Sequence, residues 1–156
     1  MLAAHNNEKF EIHFEIDIEA PIHIVWEKIS SLESMREWFS SNLIFEHKVG
    51  GRFQMEGEMP EEGTYKFTGE VVRIEPHKEL AFTWRPEHSD EGNWAGNTSL
   101  VSFRLSPTAS GTKVSLSHTG FDAQGPEQGK LAYESHIQGW TRSGTLDSLK
   151  SSVASK

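Results

Sequence analysis

Residues 10–29 read FEIHFEIDIEAPIHIVWEKI, and this stretch predicts a strand followed by a helix. From Phe10 to Ile18 apolar residues alternate with polar ones, which is the pattern of a strand with one buried face. Ala20-Pro21 ends the strand, because proline suits the first turn of a helix. The next apolar residues recur at helical spacing and predict a short amphipathic helix: Ile22, Val25, Trp26 and Ile29.

The middle of the chain predicts a second short helix and then six more strands. Ser30 as N-cap and Glu33 fit a capping box for a helix that carries Trp38 and Phe39. We expect the strands at residues 42–49, 52–58, 64–75, 80–85, 98–106 and 112–119. Gly50-Gly51 predicts a tight hairpin with positive φ angles. Gly69 predicts a bulge or bend, and the apolar phase of its strand shifts from Val71 to Val72.

The end of the chain predicts one long helix over roughly residues 127–153. Some 25 helical residues span about 38 Å, whereas the radius of gyration expected for this length is about 15 Å. The helix must therefore cross the whole domain and cover the apolar face of the sheet. We predict an α+β fold, a single domain over residues 1–156. A curved antiparallel sheet of about seven strands wraps round the C-terminal helix, with a cavity between them.

Composition excludes several classes of function. The 156 residues carry a net charge of −8, which disfavours nucleic acid and anionic membrane surfaces as partners. The absence of cysteine excludes disulfides, thiolate nucleophiles and iron–sulfur clusters. No apolar run is long enough to cross a membrane, and residues 1–10 do not resemble a signal peptide. A cytoplasmic location is therefore the expectation.

Common catalytic and cofactor motifs are also missing from the sequence. The eight histidines include no HExxH pair and no tight ligand spacing, so no metal site is expected. The chain has no GxSxG, no P-loop and no GxGxxG, so no cofactor is expected either. The short acidic runs at 61–62 and 90–91 are interpreted as solvated loops.

Several short motifs follow one another along almost the whole chain. They are APxxxVW at residues 20–26, WF at 38–39, GGRF at 50–53, GxVxxIEPxxxLxFTW at 69–84, LxHxGF at 116–121 and, in the final helix, Gly139-Trp140 with Leu146 and Leu149. In this order they resemble the family of domains related to the activator of Hsp90 ATPase, within the START-like (SRPBCC) helix-grip superfamily. The resemblance implies the fold predicted above, with a hydrophobic cavity between the sheet and the last helix.

The resemblance leaves three functions open. Superfamily members bind lipids, steroids, plant hormones and polyketides, so the first expectation is a small protein that holds a hydrophobic or aromatic molecule. The second is an enzyme of the polyketide cyclase or hydrolase kind that uses the same cavity. The third is an Hsp90 co-chaperone. Eukaryotic Hsp90 activators resemble this chain in their C-terminal part and carry a separate N-terminal domain for which 156 residues leave no room. Hsp90 activation is therefore not the favoured function.

Aromatic and apolar residues on the inward strand phases and on the last helix are the candidate ligand-binding set. Any one of them could instead fill the core, but as a set they favour a pocket for a flat or ring-bearing ligand. The set is Trp38, Phe39, Phe53, Met55, Tyr65, Phe67, Phe82, Trp84, His118, Tyr133, Ile137 and Trp140.

His118 is the one strong candidate for polar chemistry. It follows Val114 and Leu116 on the apolar phase of its strand, so its imidazole should point inward. It would bind ligand or act as a general base, or else be a core histidine satisfied by a backbone carbonyl. Arg52 and Glu70 lie on the opposite strand phases and are expected to face solvent.

Two further features concern surfaces. Trp94 lies in the longest polar loop, where it would act either as a lid or as an anchor for the loop. An open sheet also has edge strands that can pair with another copy, so a homodimer is compatible with the sequence.

Overall fold

The computed structural model describes residues 2–6, 10–59, 63–87, 98–121 and 126–154. These residues form eight strands and four helices. The strands are β1 (Leu2–Asn6), β2 (Glu11–Ile18), β3 (Ile44–Phe45), β4 (Arg52–Met59), β5 (Gly63–Glu75), β6 (Glu79–Pro86), β7 (Ser99–Pro107) and β8 (Thr112–Thr119). The helices are α1 (Ile22–Ile29), α2 (Leu32–Trp38), α3 (Pro126–Ser143) and α4 (Thr145–Ala154).

All eight strands belong to one antiparallel sheet in the order β1-β2-β8-β7-β6-β5-β4-β3. The alternation that predicted β2 is observed, with Ile12, Phe14, Ile16 and Ile18 all buried. The ring of Phe39, directly after α2, and a ring of α3 pack on the same face of β6, where Phe39 contacts Phe82 and Trp140 contacts Trp84. The predicted α+β helix-grip fold is confirmed.

The sheet has one strand that the sequence analysis did not predict, and the strand before Gly50-Gly51 is shorter than expected. β1 pairs antiparallel with β2 and forms an edge of the sheet. β3 spans residues 44–45 rather than 42–49, so residues 46–51 form a longer connection instead of a tight hairpin. Of the two glycines, Gly50 alone has a positive φ, of 84°. Gly51 instead allows a close approach, since a Cβ there would lie 2.1 Å from the Glu46 carbonyl oxygen.

The predicted bulge in β5 lies near Gly69 but not at it. The pairing with β6 shifts between Val71 and Arg73, so Val72 points outward and is 44% exposed instead of facing the core. At Gly69 the two strands approach closely, because a Cβ would lie 1.9 Å from the Thr83 carbonyl oxygen. The glycine therefore allows this close pairing, and the extra residue follows it.

Two helix boundaries also differ from the prediction. Ser31, not Ser30, caps α2, and its Oγ accepts a hydrogen bond from the Ser34 N–H at 3.3 Å. The final helix is not continuous but is interrupted at Gly144, whose φ of 60° is left-handed. The interruption divides it into α3 and α4 and lets α4 pack against α1, α2 and β2. In the part of the chain that the structure describes, no helix is both long and apolar enough to cross a bilayer.

Candidate functional site

The predicted ligand-binding residues meet between the sheet and α3. Strand pairing sets Met55 opposite Phe67, and Trp84 opposite Ser99 on the neighbouring strand. The Phe67 and Trp84 ring centroids lie 4.4 Å apart, and Trp84 lies 5.4 Å from Trp140 on α3. The sheet and the helix therefore present one continuous aromatic surface to each other.

Rings at the end of α2 extend this surface to the other side of Trp140. The Phe39 ring lies parallel to the Trp140 ring, with centroids 6.2 Å apart. Trp38 packs edge-on against Phe103, and its indole N–H donates to the Lys28 carbonyl. Trp38 is thus fixed within the core, whereas Phe39 contacts the group around α3 directly.

The set is buried unevenly. Phe53, Phe82 and His118 have no exposed surface. Trp84, Tyr133 and Trp140 retain 4–6% exposure. The half-buried members are Phe39, Tyr65, Phe67 and Ile137. Tyr65 and Phe67, with centroids 5.5 Å apart, form the partly open side of the aromatic surface.

His118 lies at the centre of the site and is held by two side chains. The indole N–H of Trp140 donates to Nδ1 at 2.9 Å, so Nδ1 carries no proton. The proton of the neutral ring is therefore on Nε2, which donates to Ser99 Oγ at 2.7 Å. Ser99 in turn donates to the Trp84 carbonyl at 3.3 Å. Burial lowers the pKa of His118 well below 6.5, and the neighbouring His136 lowers it further.

His136 is a second buried histidine that was not among the predicted site residues. Its Nε2 accepts a hydrogen bond from the Trp84 indole at 3.1 Å, and its Nδ1 donates to the Ala132 carbonyl at 2.8 Å. Burial lowers its pKa from 6.5 to about 4, although the bond to Ala132 opposes the shift. The available signal was its spacing, because His136 lies three residues after Tyr133 and four before Trp140, on the same helix face.

The two histidines and two tryptophans form two indole–imidazole pairs, Trp140–His118 and Trp84–His136. The imidazole centroids lie 5.0 Å apart. In both pairs the histidine is neutral and its lone pair accepts from a tryptophan. Ser99 and His118 are close enough for a nucleophile–base dyad, but the tautomer is reversed, since Nε2 donates its proton to Ser99. The arrangement supplies uncharged hydrogen-bonding groups within an apolar lining.

The remaining candidates lie away from this centre. Arg52 and Glu70 are exposed and directly paired across β4 and β5, as expected for the solvent face. Trp94 and the acidic runs at 61–62 and 90–91 lie outside the described residues. Across the described ranges, no three His, Asp or Glu side chains are arranged to hold a metal ion.

Comparison with solved structures shows the same fold in proteins from several bacteria. A Mesorhizobium loti protein has a TM-score of 0.74 at 25% identity, with 94% of this chain and 98% of that chain covered. A Rhodobacter sphaeroides protein has a TM-score of 0.73 at 19% identity, with 99% of this chain and 97% of that chain covered. The Aha1 dimer from Colwellia psychrerythraea gives 0.50 at 19% identity, with coverage of 70% and 75%.

Sequence comparison identifies the family. No curated protein matches the chain. The family model described as activator of Hsp90 ATPase homolog 1-like protein matches residues 19–154. This match spans most of the chain and includes every predicted ligand-binding residue, and the protein therefore belongs to the activator of Hsp90 ATPase homolog 1-like family.

Proposed function

We propose that the protein binds a hydrophobic, ring-bearing small molecule between the sheet and α3. The observation that carries the proposal is the pair of indole–imidazole hydrogen bonds within an aromatic lining. Ligand sites in proteins are mostly apolar and contain a few polar groups that set the ligand's orientation. The two pairs provide such groups without introducing a charge.

The ligand would enter at the side where the lining is half-buried. Tyr65 and Phe67 on β5 still have exposed surface, as does Ile137 on α3. Movement of the Phe67 ring would open access to Trp84, which it contacts at 4.4 Å between centroids. Apolar area removed from water contributes about 25 cal/mol per Å², so a ligand covering these rings gains affinity mainly from burial.

Equilibrium binding of an uncharged dye tests this proposal. N-phenylnaphthylamine, whose emission rises in apolar surroundings, should bind with a single saturable phase and be displaced by other ring-bearing compounds. Phe67→Ala should alter its affinity because Phe67 packs on Trp84. Val72→Ala is the matched control, since Val72 lies on the same strand but is 44% exposed and points outward. A flat titration, or equal effects of both variants, would argue against the proposed site.

A cyclase- or hydrolase-like reaction in the same site is the weaker candidate. Its general base would need a free lone pair, whereas the lone pairs of His118 and His136 each accept an indole N–H. Binding without turnover therefore agrees better with the geometry. Activation of Hsp90 rests on the name of the family, and an assay of Hsp90 ATPase stimulation tests it.

A homodimer through the outer edge of β1 is a separate proposal about assembly. In the described residues β1 pairs with β2 alone, and such an edge can accept a second strand. The fold neighbour from Colwellia psychrerythraea is itself described as a dimer. Light scattering on the purified protein would give twice the monomer mass if this proposal holds, and the monomer mass would refute it.

A further inference from the structure

The two indole–imidazole pairs differ in the exposure of their histidines and in their contact with Phe67. His118, in the Trp140 pair, has no exposed surface, whereas His136, in the Trp84 pair, is 7% exposed. The half-buried Phe67 ring lies 4.4 Å from Trp84 and 5.9 Å from His136. A ligand that displaces Phe67 therefore reaches the Trp84–His136 pair first.

The Trp84–His136 pair has a specific hydrogen-bonding requirement. Trp84 offers one N–H, and His136 offers one lone pair on Nε2 because Nδ1 donates to the Ala132 carbonyl. A group inserted between them must accept from the indole and donate to the imidazole. A hydroxyl does both through one oxygen, with the two nitrogens separated to roughly 5 Å. An ether or ketone oxygen can accept from Trp84 but leaves His136 without a donor.

The surroundings disfavour a charged ligand. Phe67, Phe121, Trp140 and His118 contact the pair, and both histidines are neutral. No lysine or arginine is buried within the described ranges. A carboxylate here would thus lose its hydration without gaining a countercharge, which is costly.

We propose that the Trp84–His136 hydrogen bond opens to take an uncharged aromatic ligand through a single hydroxyl group. The hydroxyl oxygen accepts from Trp84 Nε1, and the hydroxyl proton is donated to His136 Nε2. The Trp140–His118–Ser99 group keeps its own hydrogen bonds and packs against the Trp84–His136 pair. This inference rests on the proposed function and adds the chemical class of the ligand.

Four probes of one ring system test the inference by calorimetry at neutral pH: naphthalene, naphthol, the methyl ether of naphthol, and naphthoate. Naphthol should bind about tenfold or more tightly than its methyl ether, because the ether leaves a buried acceptor unpaired. Naphthoate should bind at least as weakly as the ether. Equal affinities for all four would overturn the inference and leave the proposed function intact, whereas no binding of any would overturn both.

Substitution of His136 shows whether its lone pair causes the preference. His136→Phe keeps an aromatic ring and removes the acceptor of the hydroxyl proton, so naphthol and its methyl ether, which can both accept from Trp84, should bind within about twofold of each other. Trp26→Phe is the control for a change to a buried ring outside the site, because Trp26 lies on α1, edge-on to His77. It should keep the full preference for naphthol over the ether. If His136→Phe also kept that preference, the hydroxyl would be recognised elsewhere; the comparison within the unsubstituted protein does not depend on the variants folding.

Discussion

At the scale of single residues, His118 and His136 are neutral acceptors held in opposite tautomers. The indole N–H of Trp140 donates to Nδ1 of His118, and that of Trp84 donates to Nε2 of His136. Both rings are buried and packed against aromatic neighbours, so protonation of either ring would break an indole bond and bury a charge. This arrangement predicts that the protein loses stability in acid and that each histidine is energetically coupled to its tryptophan.

The first expected outcome is loss of stability in mild acid. The pKa values of His118 and His136 lie below 6.5 in the folded protein, so the unfolded chain binds protons more readily. The contribution of the two neutral histidines to the free energy of unfolding is therefore fully present above pH 6.5 and decreases as the pH falls toward 4. With the pKa of His136 at about 4, urea unfolding at pH 5 should give roughly 2 kcal/mol less stability than at pH 7.5 from this residue alone.

Two glutamine variants provide the control for the pH experiment. His136→Gln retains an amide that can accept from Trp84 but cannot titrate, so the loss at pH 5 should shrink. His23→Gln is the matched substitution at an exposed position on α1. Equal stability of the unsubstituted protein at pH 7.5 and pH 5 would contradict the assignment of neutral buried histidines.

The second expected outcome is energetic coupling between His118 and Trp140. His118→Phe leaves the Trp140 N–H without its acceptor and the Ser99 oxygen without the N–H that donates to it, and should cost about 2–4 kcal/mol. In a Trp140→Phe background one of these groups is already gone, so the same change should cost about 1 kcal/mol less. A double-mutant cycle by urea unfolding measures this difference. Additive effects, within about 0.3 kcal/mol, would show that the bond contributes nothing specific.

The sequence predicted one of the two histidines. His118 was identifiable because period-two alternation along β8 assigns each residue to a face. His136 lies on a helix whose inward stripe was recognised only from its apolar members, so a polar residue on that stripe was not selected. Neither hydrogen-bond partner could be predicted, because Ser99 and Trp140 meet His118 only after β7, β8 and α3 have packed.

At the scale of elements, glycines determine where strands approach closely and where the final helix breaks. Gly69 lets β5 lie against the Thr83 carbonyl, and Gly144 divides the C-terminal helix. The final helix was predicted as one piece because the apolar spacing continues past residue 144. A single left-handed residue does not disturb that spacing.

Alanine at two glycine positions should have opposite effects on stability. In Gly69→Ala the new Cβ would meet backbone 1.9 Å away, so we expect a loss of about 3 kcal/mol or more. Gly139 is within α3 and a Cβ there meets nothing within 4 Å. Gly139→Ala should therefore gain about 0.5–1 kcal/mol from reduced chain entropy. Urea unfolding of both variants checks this, and a tolerated Gly69→Ala would contradict the close pairing of β5 and β6.

The additional strand β1 shows that local sequence patterns do not predict every strand of the sheet. Residues 2–6 contain no strong alternation, so β1 depends on pairing with β2 rather than on its own sequence. The bounds of β2, β6, β7 and β8 agree with the predicted strands to within a few residues, because those strands alternate and end at turns.

At the scale of the whole molecule, the fold was predictable but the occupant of the site was not. Helix length against domain size required a helix across the sheet, and the ordered motifs indicated the family that the match over residues 19–154 confirms. Whether the facing rings fill a core or receive a ligand depends on side-chain packing. Here the lining combines fully buried rings with half-buried rings on β5, which is why we propose binding by displacement of the half-buried ring of Phe67.

The indole N–H signals of the five tryptophans test ligand binding between the sheet and α3 most directly. In nitrogen-15-labelled protein at neutral pH, saturating naphthol should shift the Trp84 indole signal, whose bond to His136 opens, and the signal of Trp140, whose ring lies 5.4 Å from that of Trp84. The Trp26 signal, from α1, should stay in place. If all five signals stay unchanged up to the solubility limit of the ligand, the space between sheet and helix is a filled core and the proposed function is wrong.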